Sequence, residues 1–212
     1  MSPESQEYYA ACDKAIKALD RANVEAFGLM KMAKWDEINI IQTVVGVYRR
    51  SARQARKRYY EVAFEGYLLM CAMCDIPHKK AHEMAEDAIT DEWVADVLHQ
   101  TDFVTLYRFD TETDRKAYRL AEALEVSENR NAEIDKALRY WSQQLGQYAI
   151  NMTDYAMIQA MQDAGVKKAQ WVTMGDEKVC GECRPRNGVI YRIDDIPPKH
   201  YGCRCRLRPI ME

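Results

Sequence analysis

Between positions 180 and 205 the chain carries Cys180-Gly181-Glu182-Cys183 and then His200-Tyr201-Gly202-Cys203-Arg204-Cys205, five of its eleven cysteine and histidine residues within 26 positions. So short a segment has little apolar material with which to hold its own shape. Zinc takes four sulfur or imidazole ligands in a tetrahedron, and two ligand residues on one tight turn can face one ion. The pattern supplies that arrangement twice, with sixteen residues (184–199) between the pairs. Gly181 and Gly202 fall inside the two ligand turns, where a residue without Cβ lets backbone amides turn toward thiolate sulfur. Asn187-Gly188 is a turn signal for a hairpin between the pairs. Cys180, Cys183 and His200 are read as metal ligands; the fourth place falls to Cys205 or Cys203, with Cys205 preferred.

Two other readings compete with a structural zinc. One is a set of ordinary buried cysteines in a reduced protein. The other is a catalytic zinc, which needs an open coordination position and a general base. Neither a His-Glu-x-x-His helix nor a His-x-Glu ahead of a Cys-x-x-Cys occurs, and four or five available ligands leave no place for water. The ion's expected work is therefore to fold the segment that binds it. No phosphate-binding glycine loop, Gly-x-Ser-x-Gly or catalytic triad is present elsewhere, and the chain is expected not to be an enzyme.

The rest of the sequence is of a different character. From about Pro3 to Ala164 apolar residues recur at three and four spacing, as in Ile16, Leu19, Ala22 and Ala26, or Leu138, Trp141, Leu145, Tyr148 and Met152. A first helix is expected to about Met32 and a second from Asp36 to Cys74, either continuous or bent near Gly46 or Gly66. Pro77 suits the first turn of a third helix ending near Ile89. Thr90 caps a fourth, with Asp91 and Glu92 in its first turn. The stretch Thr101 to Asp110 is expected to be a strand or a packed loop. Asp110 or Thr113 then caps a helix to about Val126, and Ala132 to Ala164 forms one long helix ended by Gly165. At 1.5 Å per residue that last helix would be about 50 Å long. Trp35, Trp93 and Trp141 are expected core anchors. After Gly165, Trp171–Thr173, Val189–Ile193 and Arg206–Ile210 read as short strands, with a turn at Gly175-Asp176. The expected fold is mainly α: an elongated helical body over residues 1–165 and a small β-rich zinc-binding knuckle over residues 166–212.

Seven cysteines, an odd number, argue against a disulfide framework and for a reducing cytoplasm as the place of synthesis. No run of about 18 uncharged apolar residues is present, so no membrane span is expected, and the N-terminus lacks the pattern of a signal peptide. The knuckle carries a formal charge of +4 against −7 for the body. That imbalance is too mild to name a polyanion as partner.

Trp171, the Asp176-to-Cys183 segment Asp-Glu-Lys-Val-Cys-Gly-Glu-Cys, then Asn187-Gly188, then Pro197-Pro198-Lys199-His200-Tyr201-Gly202-Cys203-Arg204-Cys205 and Leu207 to Pro209 together resemble the C-terminal module of phage Mu protein F-like minor head proteins. Thr153-Asp154 and Ala164 to Lys168 extend the resemblance upstream. Tyr201 stands where that family usually has proline, a change that removes no ligand. The resemblance implies a virion protein in the head interior or at the portal vertex, made in the host cytoplasm. It would be present in multiple copies, dock on the portal or the major capsid protein, and act in head morphogenesis or genome delivery.

Two alternatives carry sequence features of their own. Arg49, Arg50, Arg53, Arg56 and Lys57 make one basic helix face beside Tyr59 and Tyr60, and Arg184, Arg186, Arg204, Arg206 and Arg208 surround the knuckle. Either group could touch packaged DNA, which would make the chain a DNA-binding zinc-knuckle protein. The plainer reading of the first face is solvation, or pairing with the acidic N-terminal helix. The knuckle also occurs beside toxin or effector domains, but the upstream residues here hold no catalytic constellation. Finally, Cys71, Cys74, His78 and His82 form a second Cys/His cluster, read as buried cysteines plus surface histidines, with a second metal site as the alternative.

Overall fold

The computed structural model describes residues 3–35, 39–100, 104–175, 178–200, 202–203 and 205–211. Six α-helices run in order: α1 (Pro3–Lys31), α2 (Ile40–Met73), α3 (His78–Ala88), α4 (Asp91–His99), α5 (Phe109–Val126) and α6 (Arg130–Asp163). Three strands follow: β1 (Lys168–Val172), β2 (Ile190–Arg192) and β3 (Arg206–Ile210). The mainly helical class with a small β-rich C-terminus is the one expected from the sequence.

Helices α2 and α6, 34 residues each, form the axis of the body and run parallel. The indole N–H of Trp141 donates to Ser51 Oγ at 2.8 Å, Tyr59 OH donates to the Leu145 carbonyl at 3.0 Å, and Gly66 meets Thr153 further along. Their length gives the body a long dimension of about 50 Å. Helix α1 lies antiparallel to both: Asn23 Nδ2 donates to Ser142 Oγ at 3.1 Å, and Lys14 pairs with Glu65. Helix α5 lies antiparallel to α2, with Arg49 bidentate on Asp114 and Arg56 on Asp110. The middle of the core is aromatic. Phe27, Tyr48, Tyr59, Phe109, Trp141 and Tyr148 contact one another mostly at edge and tilted angles, with Phe109 and Trp141 stacked, arrangements that suit the ring quadrupoles.

Helix α2 is continuous, so of the two expectations the unbent one holds. Gly66 serves close approach and not a bend: a Cβ there would lie 2.8 Å from Thr153 Cγ2 and 3.1 Å from the Thr153 carbonyl oxygen. Thr90 caps α4 as expected, accepting from the Trp93 amide at 3.1 Å, and Asn129 caps α6 by accepting from Ala132 at 3.1 Å. Pro77 is the residue before α3 and not in its first turn.

Two expectations are corrected, and one of two alternatives is set aside. Neither Asp110 nor Thr113 caps α5; the helix already begins at Phe109, and the Thr113 hydroxyl donates back to the Phe109 carbonyl at 2.8 Å. No strand forms over residues 104–108, and Thr101, Asp102 and Phe103 lie outside the described residues. Trp141 is fully buried, but Trp35 and Trp93 sit at the margin of the core. The expected start of α2 at Asp36 and the turn residue Asp176 also lie outside the described residues. Among the described residues, no helix is long and apolar enough to cross a membrane.

Candidate metal centre

The sheet that carries the site has the order β2-β1-β3, with β1 antiparallel to both neighbours. Trp171 and Ala169 on β1 and Leu207 on β3 are buried on its inner face. The first ligand loop leaves β1 and returns to it. Arg184 donates its amide to the Cys180 carbonyl at 3.0 Å, closing the Cys180-to-Cys183 turn, and a 3₁₀ turn over Arg184–Arg186 follows. Gly188, at φ +82°, then donates to the Trp171 carbonyl at 2.8 Å and leads into β2. Asn187-Gly188 is thus a turn, but not the expected hairpin between the ligand pairs. Strand β2 pairs upstream with β1, and the Asn187 side chain accepts from the Thr173 amide at 3.0 Å.

The five sulfur and nitrogen donors singled out from the sequence converge. Cys180 Sγ lies 3.0 Å and Cys183 Sγ 3.2 Å from His200 Nε2, and Cys183 Sγ lies 3.6 Å from Cys203 Sγ. Cys180, Cys183 and His200 form one triad with all donor atoms within 4.8 Å, and Cys183, Cys203 and Cys205 form another, so Cys183 is shared. In a tetrahedral zinc site with Zn–S about 2.3 Å and Zn–N about 2.0 Å, neighbouring sulfurs stand about 3.8 Å apart and sulfur and nitrogen about 3.5 Å. The observed edges are of that size or a few tenths shorter. A cavity of about 30 Å³ lies among Cys180, Cys183, His200, Gly202 and Cys205, room for one ion or one water; Cys203 does not line it.

The thiols are tuned unequally. Cys180 is held below its ordinary pKa, first by the Cys183 backbone amide, which donates to its sulfur at 3.3 Å. Cys205 is also lowered, by hydrogen bonding with Cys203 first and with help from the Trp171 indole. The Trp171 N–H is buried and has no oxygen or nitrogen acceptor. Burial pushes Cys183 up to about 12, and hydrogen bonding with Cys205 together with burial raises Cys203. Four sulfurs brought this close cannot all ionise unless a cation compensates them. The donor set and the spacing within each triad fit a soft or borderline divalent ion.

Of the glycines in the two ligand turns, Gly202 has the left-handed backbone, φ +73°, that requires glycine. Its amide donates to Gln147 Oε1 of α6 at 2.8 Å. Beside it Lys199 Nζ pairs with Asp154 Oδ1 at 2.6 Å, both side chains about nine-tenths buried. Gln147, Asn151 and Asp154 are functional candidates that spacing motifs do not flag. Their trace in the sequence is a polar i, i+4, i+7 stripe on the buried face of α6.

The other clusters resolve differently. Cys71 and Cys74 are buried thiols, Cys71 pushed up to about 11 by burial. His78 and His82 contact each other at a tilted angle along α3, and no three of these four residues gather as a metal group. On the basic face of α2, Arg49 and Arg56 are ion-paired with Asp114 and Asp110, so the acidic partner is α5 and not α1. Arg50, Arg53 and Lys57 are exposed, whereas Tyr59 is in the core. Around the knuckle, Arg206 is buried, Arg186 lies over the Trp171 ring at 5.2 Å and Arg204 lies outside the described residues. The described arginines of this group, Arg184, Arg186, Arg206 and Arg208, do not make one surface.

Fold and site together define a class: a helical body carrying a small antiparallel sheet whose loops gather cysteines and a histidine in metal-binding order. Residues 121–208, from the last third of α5 through α6 and nearly all of the knuckle, match the family of phage Mu protein F like proteins. The match bears out the resemblance seen in the sequence and carries it further upstream. No curated protein and no solved structure matches the chain.

Proposed function

We propose that this chain is a phage head protein of the phage Mu protein F like family, acting in head morphogenesis as a docking component. The observation that carries the reading is the family match over residues 121–208, which takes in both the long helix and the metal-ligand loops. Residues 1–165 serve as the helical body and residues 166–212 as a knuckle closed by one structural zinc. Cys180, Cys183 and His200 hold the ion with Cys205 as the fourth ligand, a reading supported by the cavity these four share; Cys205, which groups with Cys183 and Cys203, closes on the first triad when the ion binds. Zinc there supplies folding free energy and charge compensation, and all four places are filled by protein. The body presents a rigid surface to the portal or inner capsid, and the chain resides in the virion.

Co-purification tests the docking. The expected result is that the full chain, loaded with zinc, binds the cognate portal or major capsid protein, and that heads assembled without it are defective. Normal infectious heads in its absence would refute the reading. A second reading, contact with packaged DNA, is supported by the exposed Arg50, Arg53 and Lys57. It predicts salt-sensitive retention of duplex DNA by the purified chain, lost on substitution of these three residues. The pairing of Arg49 and Arg56 with α5 leaves that face less cationic than its sequence suggests, and favours the docking reading.

A further inference from the structure

The loop that carries His200, Cys203 and Cys205 is tied at two points to a helix outside the knuckle. On one side of His200, Lys199 Nζ reaches Asp154 Oδ1 at 2.6 Å; on the other, the Gly202 amide donates to Gln147 Oε1 at 2.8 Å. Gln147 Nε2 in turn donates to Asn151 Oδ1 at 2.6 Å. These three α6 residues lie on one helix face and are buried. A buried amide, carboxylate and ammonium cannot give up their partners cheaply, so the loop's position relative to α6 is fixed. The loop itself has no regular structure over residues 196–200 and 202–203 and contains the left-handed Gly202, so it has little of its own to set where His200 and the cysteines stand.

We infer that α6 is part of the metal centre: Asp154 and Gln147 are positioning residues that hold the His200-to-Cys205 loop in ligating geometry, so that metal binding and docking of the knuckle on the body form one linked equilibrium. The inference rests on the reading that a metal binds these loops. It makes the knuckle dependent on the body. By linkage, whatever the docked geometry adds to metal affinity, the metal returns to docking.

The test compares zinc affinity in the full-length protein and in Asp154→Asn, Lys199→Met and Gln147→Ala variants, by competition of zinc alone with a chromophoric chelator. Partners of metal ligands typically change affinity 10- to 100-fold when removed, and that loss is expected for Asp154→Asn and Lys199→Met, with a smaller one for the neutral Gln147→Ala. Replacing the pair together, Asp154→Leu with Lys199→Met, is expected to recover part of the loss, because no charge is then left buried alone. A residue that merely stabilises the helical body, apart from the knuckle, weakens metal-free and metal-loaded forms equally, lowering Tm while leaving Kd unchanged. Folded variants with wild-type Kd would therefore overturn the inference and leave the metal reading standing. Should Asp154→Asn fail to fold, Gln147→Ala alone decides. If the wild-type chain takes up no zinc, the metal reading itself falls, and the inference with it.

Discussion

Replacing Cys205 by serine takes away one wall of the cavity shared with Cys180, Cys183 and His200, whereas replacing Cys203 removes a sulfur that stands 3.6 Å from Cys183 but off that cavity. The two substitutions are chemically identical and two positions apart, so their difference isolates ligation from general disturbance. Structural zinc in small modules is worth about 10–16 kcal/mol, so one of four ligands carries about 3 kcal/mol. At about 1.4 kcal/mol per tenfold, that is about two powers of ten in Kd. Cys205→Ser should weaken zinc binding about 100-fold, and Cys203→Ser only a few-fold, read by chelator competition and by metal content after gel filtration. The reverse pattern would refute the ligand assignment. Equal losses in both would show that the ion sits between the two triads that share Cys183.

Acid should weaken the site. In the metal-free chain burial pushes Cys183 up to about 12, so at neutral pH binding must expel its proton, while Cys180 and Cys205 are already lowered. Zinc Kd is therefore expected to rise at least tenfold per unit fall in pH between about 8 and 6.5; a flat profile would mean that Cys183 is no ligand. In the body, Gly66→Ala gains about 1 kcal/mol of helix propensity, but its Cβ would meet the Thr153 carbonyl oxygen at 3.1 Å as well as a methyl. Overpacking of about 1–3 kcal/mol should prevail, because backbone cannot rotate aside. A fall in Tm of about 2–4 °C is expected, and a rise would refute close α2–α6 packing. Trp141→Phe removes the N–H that donates to buried Ser51 and leaves a small void. It should cost about 2 kcal/mol in denaturant unfolding, and no loss would show the bond to be idle.

The helices were legible because the body obeys one period nearly throughout, and misreadings fall where tertiary contacts override local chemistry. Asp110 and Thr113 are good capping residues, yet α5 starts ahead of them. The Phe109 ring is held among Tyr59, Trp141 and Tyr148, which fixes the helix start at an aromatic residue. Thr113, already inside the first turn, spends its hydroxyl on the Phe109 carbonyl instead. Gly66 could be read as a bend or as a close approach; only the presence of Thr153 on the neighbouring helix decides between them. Asn187-Gly188 was legible as a turn, but its strand partner lies beyond the first ligand pair, and turn chemistry does not say which strand the chain rejoins.

The candidate metal ligands could be singled out because ligand chemistry restricts residue type and a shared turn restricts spacing, both local properties. What orients those ligands was not readable, since Gln147 and Gly202 meet across 55 positions. Yet α6 does carry a local sign of it. A helix that is apolar along its buried stripe, but holds Gln147, Asn151 and Asp154 there, cannot be covered by hydrocarbon alone. The carboxylate demands a cation brought out of water with it, and the amides demand donors and acceptors. The covering segment must then supply at least one lysine or arginine and a backbone N–H not already spent in a helix or sheet ladder, which an irregular loop has to offer. Of the described C-terminal segments, the 199–203 loop meets both demands, through Lys199 and Gly202. A polar stripe on a buried helix face is in this sense a template for the loop that docks on it, and here that loop carries the candidate ligands His200 and Cys203.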